Sequence, residues 1–116
     1  MDNETWVIEV GDAVIQKKAS SGMASLTPWE TLVYCLWVAD YGMRNAGDLV
    51  TAADLYADFQ TDGHRIAEEL SLPLTHKVFS LAKAELQQRY FDQFESICDE
   101  IRLAQPGASS GGPQKS

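Results

Sequence analysis

The sequence has few of the residues that build common chemical sites. It contains only two histidines and two cysteines among 116 residues. It has no glycine-rich phosphate loop, no His-Glu-x-x-His, no Cys-x-x-Cys and no Gly-x-Ser-x-Gly segment. Each of those motifs holds metal ligands, phosphate donors or a nucleophile at a fixed spacing. We therefore expect a protein that is not an enzyme and that uses no metal or cofactor.

Long apolar runs and a secretory signal are also missing. The longest apolar run, at 32–39, is far shorter than the roughly 20 residues that span a bilayer. Residues 1–4 are acidic and offer neither a basic region nor a small-residue cleavage site. Sparse cysteine is typical of a reducing compartment, so Cys35 and Cys98 are expected to be buried, unpaired thiols, with a disulfide as the alternative. These features predict a cytoplasmic protein.

Positive charge is scarce as well. Nine lysines and arginines stand against 17 aspartates and glutamates, which gives a formal net charge of −8. Such a surface repels phosphate backbones and anionic membranes, and it attracts basic proteins. We expect no direct binding to nucleic acid or to membranes. The natural electrostatic complement is a basic protein partner, either a toxin or a nucleic-acid-binding protein.

The apolar pattern predicts an all-α fold. Residues 1–105 are expected to form a single domain, a compact bundle of four to six helices with a long C-terminal helix. The first helix is predicted at 4–18, with a short strand at 6–10 as the alternative. Residues 106–116 are rich in Gly, Ser and Pro and lack core-forming side chains, which predicts a disordered tail.

The clearest helix start is the segment Thr-Pro-Trp-Glu at 27–30. Thr27 offers a capping hydroxyl, proline suits the first helical position, and Glu30 can close a capping box. The helix that follows is apolar on all sides, so it is expected to lie at the centre of the bundle. It is predicted to end at 42–47, where Asn and Gly tolerate a left-handed stop.

The boundaries of the later helices are less sharply marked. A third helix is expected to be capped by Asp48 or Thr51, and a turn is expected at 61–63 before a short helix. The stretch 74–105 contains neither proline nor glycine. It predicts one long helix, or two helices that bend near 90–91.

The charged residues suggest a binding surface. Four ion pairs at helical spacing are predicted: Asp40–Arg44, Arg65–Glu69, Glu85–Arg89 and Asp99–Arg102. The most concentrated group of carboxylates left without a partner, named here the acidic patch, comprises Asp48, Asp54, Asp58 and Asp62. It is either a solvated face or an electrostatic docking surface for the basic partner. Tyr56 or Trp29, the tryptophan expected nearest the surface, would be its aromatic anchor.

Two other functions stay open. A small metal-binding protein or enzyme could use Asp54, Asp58, His64 and Glu68. The two aspartates are one helical turn apart, a spacing that suits a hard cation. The other possibility is self-assembly through an apolar stripe on the final helix that one core cannot fully bury.

Residues 34–47 read YCLWVADYGMRNAG. This segment resembles a stretch in an acidic, all-helical, DNA-mimic-like family of bacterial proteins of unknown function. There, an aromatic-rich core helix runs into an aspartate and then an Asn-Gly-Gly-Phe turn. Asp40, Asn45 and Gly47 match that pattern, whereas Ala46 and Asp48 replace the first glycine and the aromatic residue. The resemblance implies a bundle whose carboxylates imitate DNA phosphates and occupy a DNA-binding protein. The chain is also similar in type to bacterial immunity proteins, which plug the basic active site of a toxin.

Overall fold

A computed structural model describes residues 1–106. It contains six α-helices, a short 3-10 helix and, within those residues, no strand. The helices are α1 (Asn3–Ser21), α2 (Pro28–Ala46), α3 (Val50–Leu55), α4 (Phe59–Glu69), α5 (Pro73–Phe79) and α6 (Lys83–Leu103). The all-α prediction is confirmed, and the strand alternative at 6–10 is wrong because those residues lie within α1. The predicted tail lies outside the described residues, apart from Pro106.

Helix α2 begins and ends as its sequence signals predict. The hydroxyl of Thr27 accepts a hydrogen bond from the Glu30 amide at 3.1 Å, and the Glu30 carboxylate accepts one from the Thr27 amide at 2.8 Å. This reciprocal pair is a complete capping box. At the other end Gly47 has a φ of 73° and its amide donates to the carbonyl of Met43. A left-handed residue at this position is favourable for glycine and closes the last turn.

Helix α2 is the centre of the bundle. It packs against α1, α3, α4 and α6. Six of its side chains are completely inaccessible to solvent: Leu32, Val33, Cys35, Leu36, Val38 and Ala39. The prediction of a central helix is therefore confirmed. Cys35 and Cys98 are both buried and unpaired, as predicted, and burial raises the pKa of both thiols well above its ordinary value.

The predicted turn at 61–63 is wrong. These residues lie inside α4, which begins at Phe59, and α3 has already ended at Leu55. The glycine has a packing role instead, since a Cβ atom built on Gly63 would lie 2.9 Å from Cδ1 of Phe79. Because no side chain fits between them, α4 and α5 approach closely at this point. Here glycine marks a helix contact.

The C-terminal stretch forms two helices, but the predicted position of the bend is wrong. Residues 90–91 lie within α6, and the chain breaks between α5 and α6 at 80–82. The amide of Gln60, on α4, donates to the carbonyls of Phe79 at 3.2 Å and Leu81 at 2.5 Å. Carbonyls at the end of a helix need such donors. A side chain from another helix therefore stabilises a break that no local residue signals.

Candidate functional site

The acidic patch follows the α3–α4 segment. Asp48 precedes α3 and Asp54 lies inside it, while Asp58 directly precedes α4 and Asp62 lies in the first turn of α4. The four carboxylates therefore belong to one continuous stretch of two short helices. They differ in what they contact.

Two members of the acidic patch have partners within the protein. The carboxylate of Asp48 accepts hydrogen bonds from the amides of Val50 at 3.1 Å and Thr51 at 3.4 Å, at the start of α3. Asp62 accepts a hydrogen bond from the hydroxyl of Tyr56 and lies 3.4 Å from a guanidinium nitrogen of Arg65. The prediction that all four carboxylates lack a partner is wrong for these two.

Asp54 and Asp58 are exposed. Within residues 1–106, neither carboxylate has a hydrogen-bond donor or an ion-pair partner. Neither carboxylate therefore stabilises the fold through a hydrogen bond or an ion pair within these residues. The two carboxylates lie on either side of Tyr56 along the chain, at the point where α3 ends and α4 begins.

Tyr56, which lies between these two aspartates in the sequence, contacts Tyr34 and Asp62. Its side chain is half-buried, and its ring centroid lies 5.3 Å from that of Tyr34. Burial, followed by the hydrogen bond to Asp62, raises the pKa of the Tyr56 hydroxyl far above its ordinary value. The hydroxyl therefore stays neutral at physiological pH and acts as a donor. A half-buried ring at the α3–α4 junction is compatible with the anchor role predicted for it.

Trp29 does not lie at the surface. Its side chain is only 6% exposed, and its indole nitrogen donates to the carbonyl of Ile101 at 3.0 Å. The ring also packs edge-on against Trp6. The expectation that this tryptophan lies nearest the surface is wrong because the C-terminal end of α6 covers the first turn of α2. The half-buried tryptophan is Trp37.

A row of aromatic side chains was not anticipated. The rings of Trp37 and Tyr41 have centroids 5.3 Å apart and an interplanar angle of 21°. Those of Tyr34 and Trp37 are 6.4 Å apart at 7°. Together with Tyr56, these residues form what we name the aromatic stripe. Its spacing of three and four residues is visible in the sequence, but in a helix that is apolar all round the pattern also fits core packing.

The residues of the alternative metal site do not come together. His64 is on α4, where its Nδ1 atom lies 3.3 Å from the carbonyl oxygen of His76. In the part of the chain that the structure covers, no three His, Cys, Asp or Glu side chains are grouped closely enough to hold a metal ion. Asp54, Asp58 and Glu68 are exposed at separate positions along α3 and α4.

Three of the four predicted ion pairs are confirmed. Their N–O distances are 3.0 Å for Asp40–Arg44, 2.9 Å for Arg65–Glu69 and 3.2 Å for Glu85–Arg89. The predicted Asp99–Arg102 pair is wrong. Arg102 instead donates to the side-chain oxygen of Asn3 at 2.8 Å, and the Asn3 amide nitrogen lies 3.0 Å from Asp99. The N-terminus of α1 thus separates the two residues that helical spacing had paired.

The residues behind the family resemblance have structural contacts. Asp40 is 4% exposed, and it accepts hydrogen bonds from the Tyr90 hydroxyl at 2.7 Å and from Arg44 at 3.0 Å. Burial raises its pKa above the ordinary value. Asn45 donates to the carbonyl of Tyr41, and Gly47 terminates α2. Each of the three therefore has a contact within the fold, but only Asp40 is buried, whereas Asn45 and Gly47 are exposed.

Comparisons with known proteins place the chain in no family. A scan against protein-family models, a search of curated proteins and a search of solved structures each gave no significant match. Separately, none of the helices in residues 1–106 is both long enough and apolar enough to cross a bilayer.

Proposed function

We propose that the protein is a non-catalytic acidic binding protein that docks on a basic protein and inhibits it. The partner would be a toxin or a nucleic-acid-binding protein, in the manner of an immunity protein or a DNA mimic. One observation carries the proposal: Asp54 and Asp58 are exposed at the α3–α4 junction, and their carboxylates have no partner among residues 1–106. The net charge of −8 acts in the same direction.

The physical argument concerns which carboxylates are free to change partners. An aspartate that already accepts hydrogen bonds must lose them before it can bind another group. Asp54 and Asp58 lose only water. A basic cleft that normally binds phosphates presents lysine and arginine side chains, and carboxylates are their complement. The overall negative charge accelerates encounter with such a cleft, and the local charges set the orientation of docking.

Asp48 and Asp62 have a different role in this proposal. They contribute negative charge, but their hydrogen bonds to the start of α3 and to Tyr56 fix the shape of the segment. A rigid segment loses less conformational entropy when it binds. These two residues would therefore position Asp54 and Asp58 for the partner.

Affinity capture with two charge-matched variants tests the proposal. The immobilised protein is incubated with lysate of its source cells at low and at high salt, and retained proteins are identified by mass spectrometry. We expect a basic protein that is retained at low salt and released at high salt, because exposed ion pairs are screened over about 8 Å at physiological ionic strength. The variant D54N/D58N should lose this protein.

The control variant is E9Q/D92N. It removes the same two charges from exposed carboxylates on α1 and α6, and these also lack partners within residues 1–106. Retention by this variant with loss by D54N/D58N supports docking at the α3–α4 junction. Equal weakening by both variants would mean that only total charge matters. If no basic protein is retained, or if adding the protein leaves the captured protein's activity or nucleic-acid binding unchanged, the proposed function is wrong.

A further inference from the structure

A cleft of about 190 Å³ lies between α5 and α6. One of its walls is apolar and consists of Leu74, Val78 and Leu81, which recur every three or four residues along the α5 segment. Val78 is buried, whereas Leu74 and Leu81 are half-buried, so both leucines leave apolar surface in contact with water. An aliphatic group that covered this surface would bind favourably, because it would remove apolar surface from water.

The opposite wall of the cleft is polar. It consists of Glu85, Arg89 and Gln93 on α6. These three residues are spaced four apart, so they share one face of the helix. The two walls therefore differ in chemistry, and a ligand that matches both has an aliphatic part and a polar part.

The charges in the cleft are opposite in sign to the net charge of the protein. Lys77 and Arg89 line it together with Glu85, which leaves one excess positive charge in a protein of net charge −8. In the described part of the chain, Lys77 has no carboxylate within ion-pairing distance. Arg89 lies 3.2 Å from Glu85, but a guanidinium has five N–H donors, so donors remain for a second carboxylate. Glu100, also on α6, already accepts hydrogen bonds from the first amides of α5.

The size and charge of the cleft limit its occupant. A cavity of about 150 Å³ holds a six-carbon ring, so about 190 Å³ has room for roughly eight non-hydrogen atoms. One excess positive charge complements a monoanion, whereas a phosphate dianion is repelled more strongly by the net charge of the protein. The C-terminus of a protein offers the same carboxylate, but such termini are captured by free backbone amides. Both walls here are helices, whose backbone groups bond within the helix.

We propose that the cleft between α5 and α6 binds a small aliphatic carboxylate with a chain of about six carbons. The carboxylate of the ligand pairs with Lys77 and Arg89, and its chain covers the apolar wall of α5. This inference goes beyond the proposed function and does not rest on it, because the cleft contains no residue of the acidic patch.

Methyl NMR of the full-length protein tests the site with two ligands of equal size. Hexanoate and hexanamide are titrated at pH 7 and at one ionic strength, and they differ chiefly in charge. Both should shift the methyl signals of Leu74, Val78 and Leu81. Hexanoate should bind about fivefold more tightly, which is the upper end of the range for an exposed ion pair. Affinity should rise from butyrate to hexanoate by up to about fourfold for each added CH₂ and then level off for longer acids, once the cleft is full.

Three variants that each change one charge identify the groups that bind the carboxylate. K77Q should weaken hexanoate binding about threefold and leave hexanamide binding unchanged. E85Q should strengthen hexanoate binding, because it removes the carboxylate that shares Arg89 with the ligand. Such a gain in affinity does not result from loss of structure. K83Q is the matched control and should keep the wild-type affinity, because Lys83 is also an exposed lysine but does not line the cleft.

Several results would overturn this inference. Equal affinity for hexanoate and hexanamide, or an effect of K83Q as large as that of K77Q, would show that the cleft does not select an anion. Absence of saturable binding, or methyl shifts confined to other residues, would show that no such ligand occupies the cleft. Tighter binding of the peptide acetyl-Gly-Gly-Leu than of hexanoate would overturn the choice of a free acid in favour of a protein C-terminus. None of these results depends on capture of a basic protein, so the proposed function is tested separately.

Discussion

His64 and His76 contact each other's backbone. The Nδ1 atom of His64 lies 3.3 Å from the carbonyl oxygen of His76, and the Nδ1 atom of His76 lies 3.2 Å from that of His64. Their rings stack with centroids 4.1 Å apart. The pair joins α4 to α5 across the approach that Gly63 permits. The two histidines are 12 residues apart in the sequence, so this reciprocal contact depends on how α4 and α5 pack.

Because the two histidines share one interaction, their substitution should be non-additive. H64A and H76A are each expected to lower the free energy of unfolding by about 1 kcal/mol. The double variant should lose less than the sum of the two, with a coupling of about 0.5–1 kcal/mol. Urea denaturation of the four proteins at one pH measures this coupling. Strict additivity would show that the pair contributes nothing as a unit.

Gly63 should be intolerant of even a methyl group. In a helix interior, alanine is favoured over glycine by about 1 kcal/mol. Against this, the added Cβ would lie 2.9 Å from Cδ1 of Phe79, and overpacking of this kind costs about 1–3 kcal/mol. We therefore expect G63A to be less stable than the wild type by up to about 2 kcal/mol in thermal or urea denaturation. G63A should cost less in an F79L background, where the ring is absent.

Glu30 should make part of the free energy of unfolding depend on pH. Its hydrogen bond with Lys17 and that with the Thr27 amide lower its pKa in the folded protein. A carboxylate with a lowered folded pKa stabilises the fold above its unfolded pKa, and this contribution is lost as the pH falls through the folded value. E30Q should therefore be less stable than the wild type by no more than about 1 kcal/mol at pH 7, the range for a partly exposed ion pair.

The difference between the wild type and E30Q should diminish below about pH 4, where glutamates become protonated. Denaturation midpoints measured from pH 7 to pH 3 follow this change. K17Q supplies the control because it removes the first cause of the lowered pKa. In a K17Q background, E30Q should cost less at pH 7, and a constant difference across the whole range would contradict the assignment.

These residues also indicate what the sequence determines. The capping box at Thr27 and Glu30 is local, since both partners lie within four residues of each other, and it was predicted correctly. The start of α5 is also marked locally, by Pro73 at its first position. Its end is not local, because the carbonyl of its last residue, Phe79, accepts from Gln60 on α4. No local pattern could reveal that boundary.

The candidate site likewise has local features that the sequence predicts and features that depend on tertiary packing. The sequence indicated Asp54 and Asp58 among four candidate carboxylates, because charge and local spacing can be read directly. It did not show that Tyr56 satisfies Asp62 or that α6 covers Trp29, since both depend on how the helices pack. The aromatic stripe was present in the sequence at helical spacing. Only the partial exposure of Trp37 and Tyr41 in the folded protein distinguishes it from ordinary core packing.

Tyr90 should contribute most to the stability of the fold when Asp40 is charged. Asp40 is buried and accepts hydrogen bonds from Tyr90 and Arg44. Y90F removes one donor to a buried carboxylate and is expected to cost about 1–3 kcal/mol at pH 7. Burial raises the pKa of Asp40 in the folded protein, so folding favours the protonated carboxyl. This contribution to the free energy of unfolding is complete below the ordinary pKa of an aspartate, and it is lost as the pH rises through the raised pKa of Asp40.

It follows that Y90F should cost less at low pH, where Asp40 is protonated and only a neutral hydrogen bond is missing. Chemical denaturation of the wild type and Y90F at pH 4 and pH 7 provides the comparison. A loss that is equal at both values would show that Asp40 has the same charge at both pH values in the folded protein.

The packing of the N-terminus of α1 against α6 should depend on the side-chain amide of Asn3. Asn3 is buried, and its side-chain nitrogen lies 2.7 Å from the Glu95 carboxylate and 3.0 Å from that of Asp99, while its oxygen accepts from Arg102. N3A should lower the free energy of unfolding by about 1–3 kcal/mol, because it leaves several charged groups on α6 without their partner. E9A, an exposed position six residues along α1, is the control and should change stability little. Hydrogen exchange separates local from global effects: the amides of the first turns of α1 should exchange faster in N3A, whereas those of α2 should change only by the global loss of stability. Uniformly accelerated exchange in both helices, with no additional change in α1, would mean that Asn3 does not act as a local connection between α1 and α6.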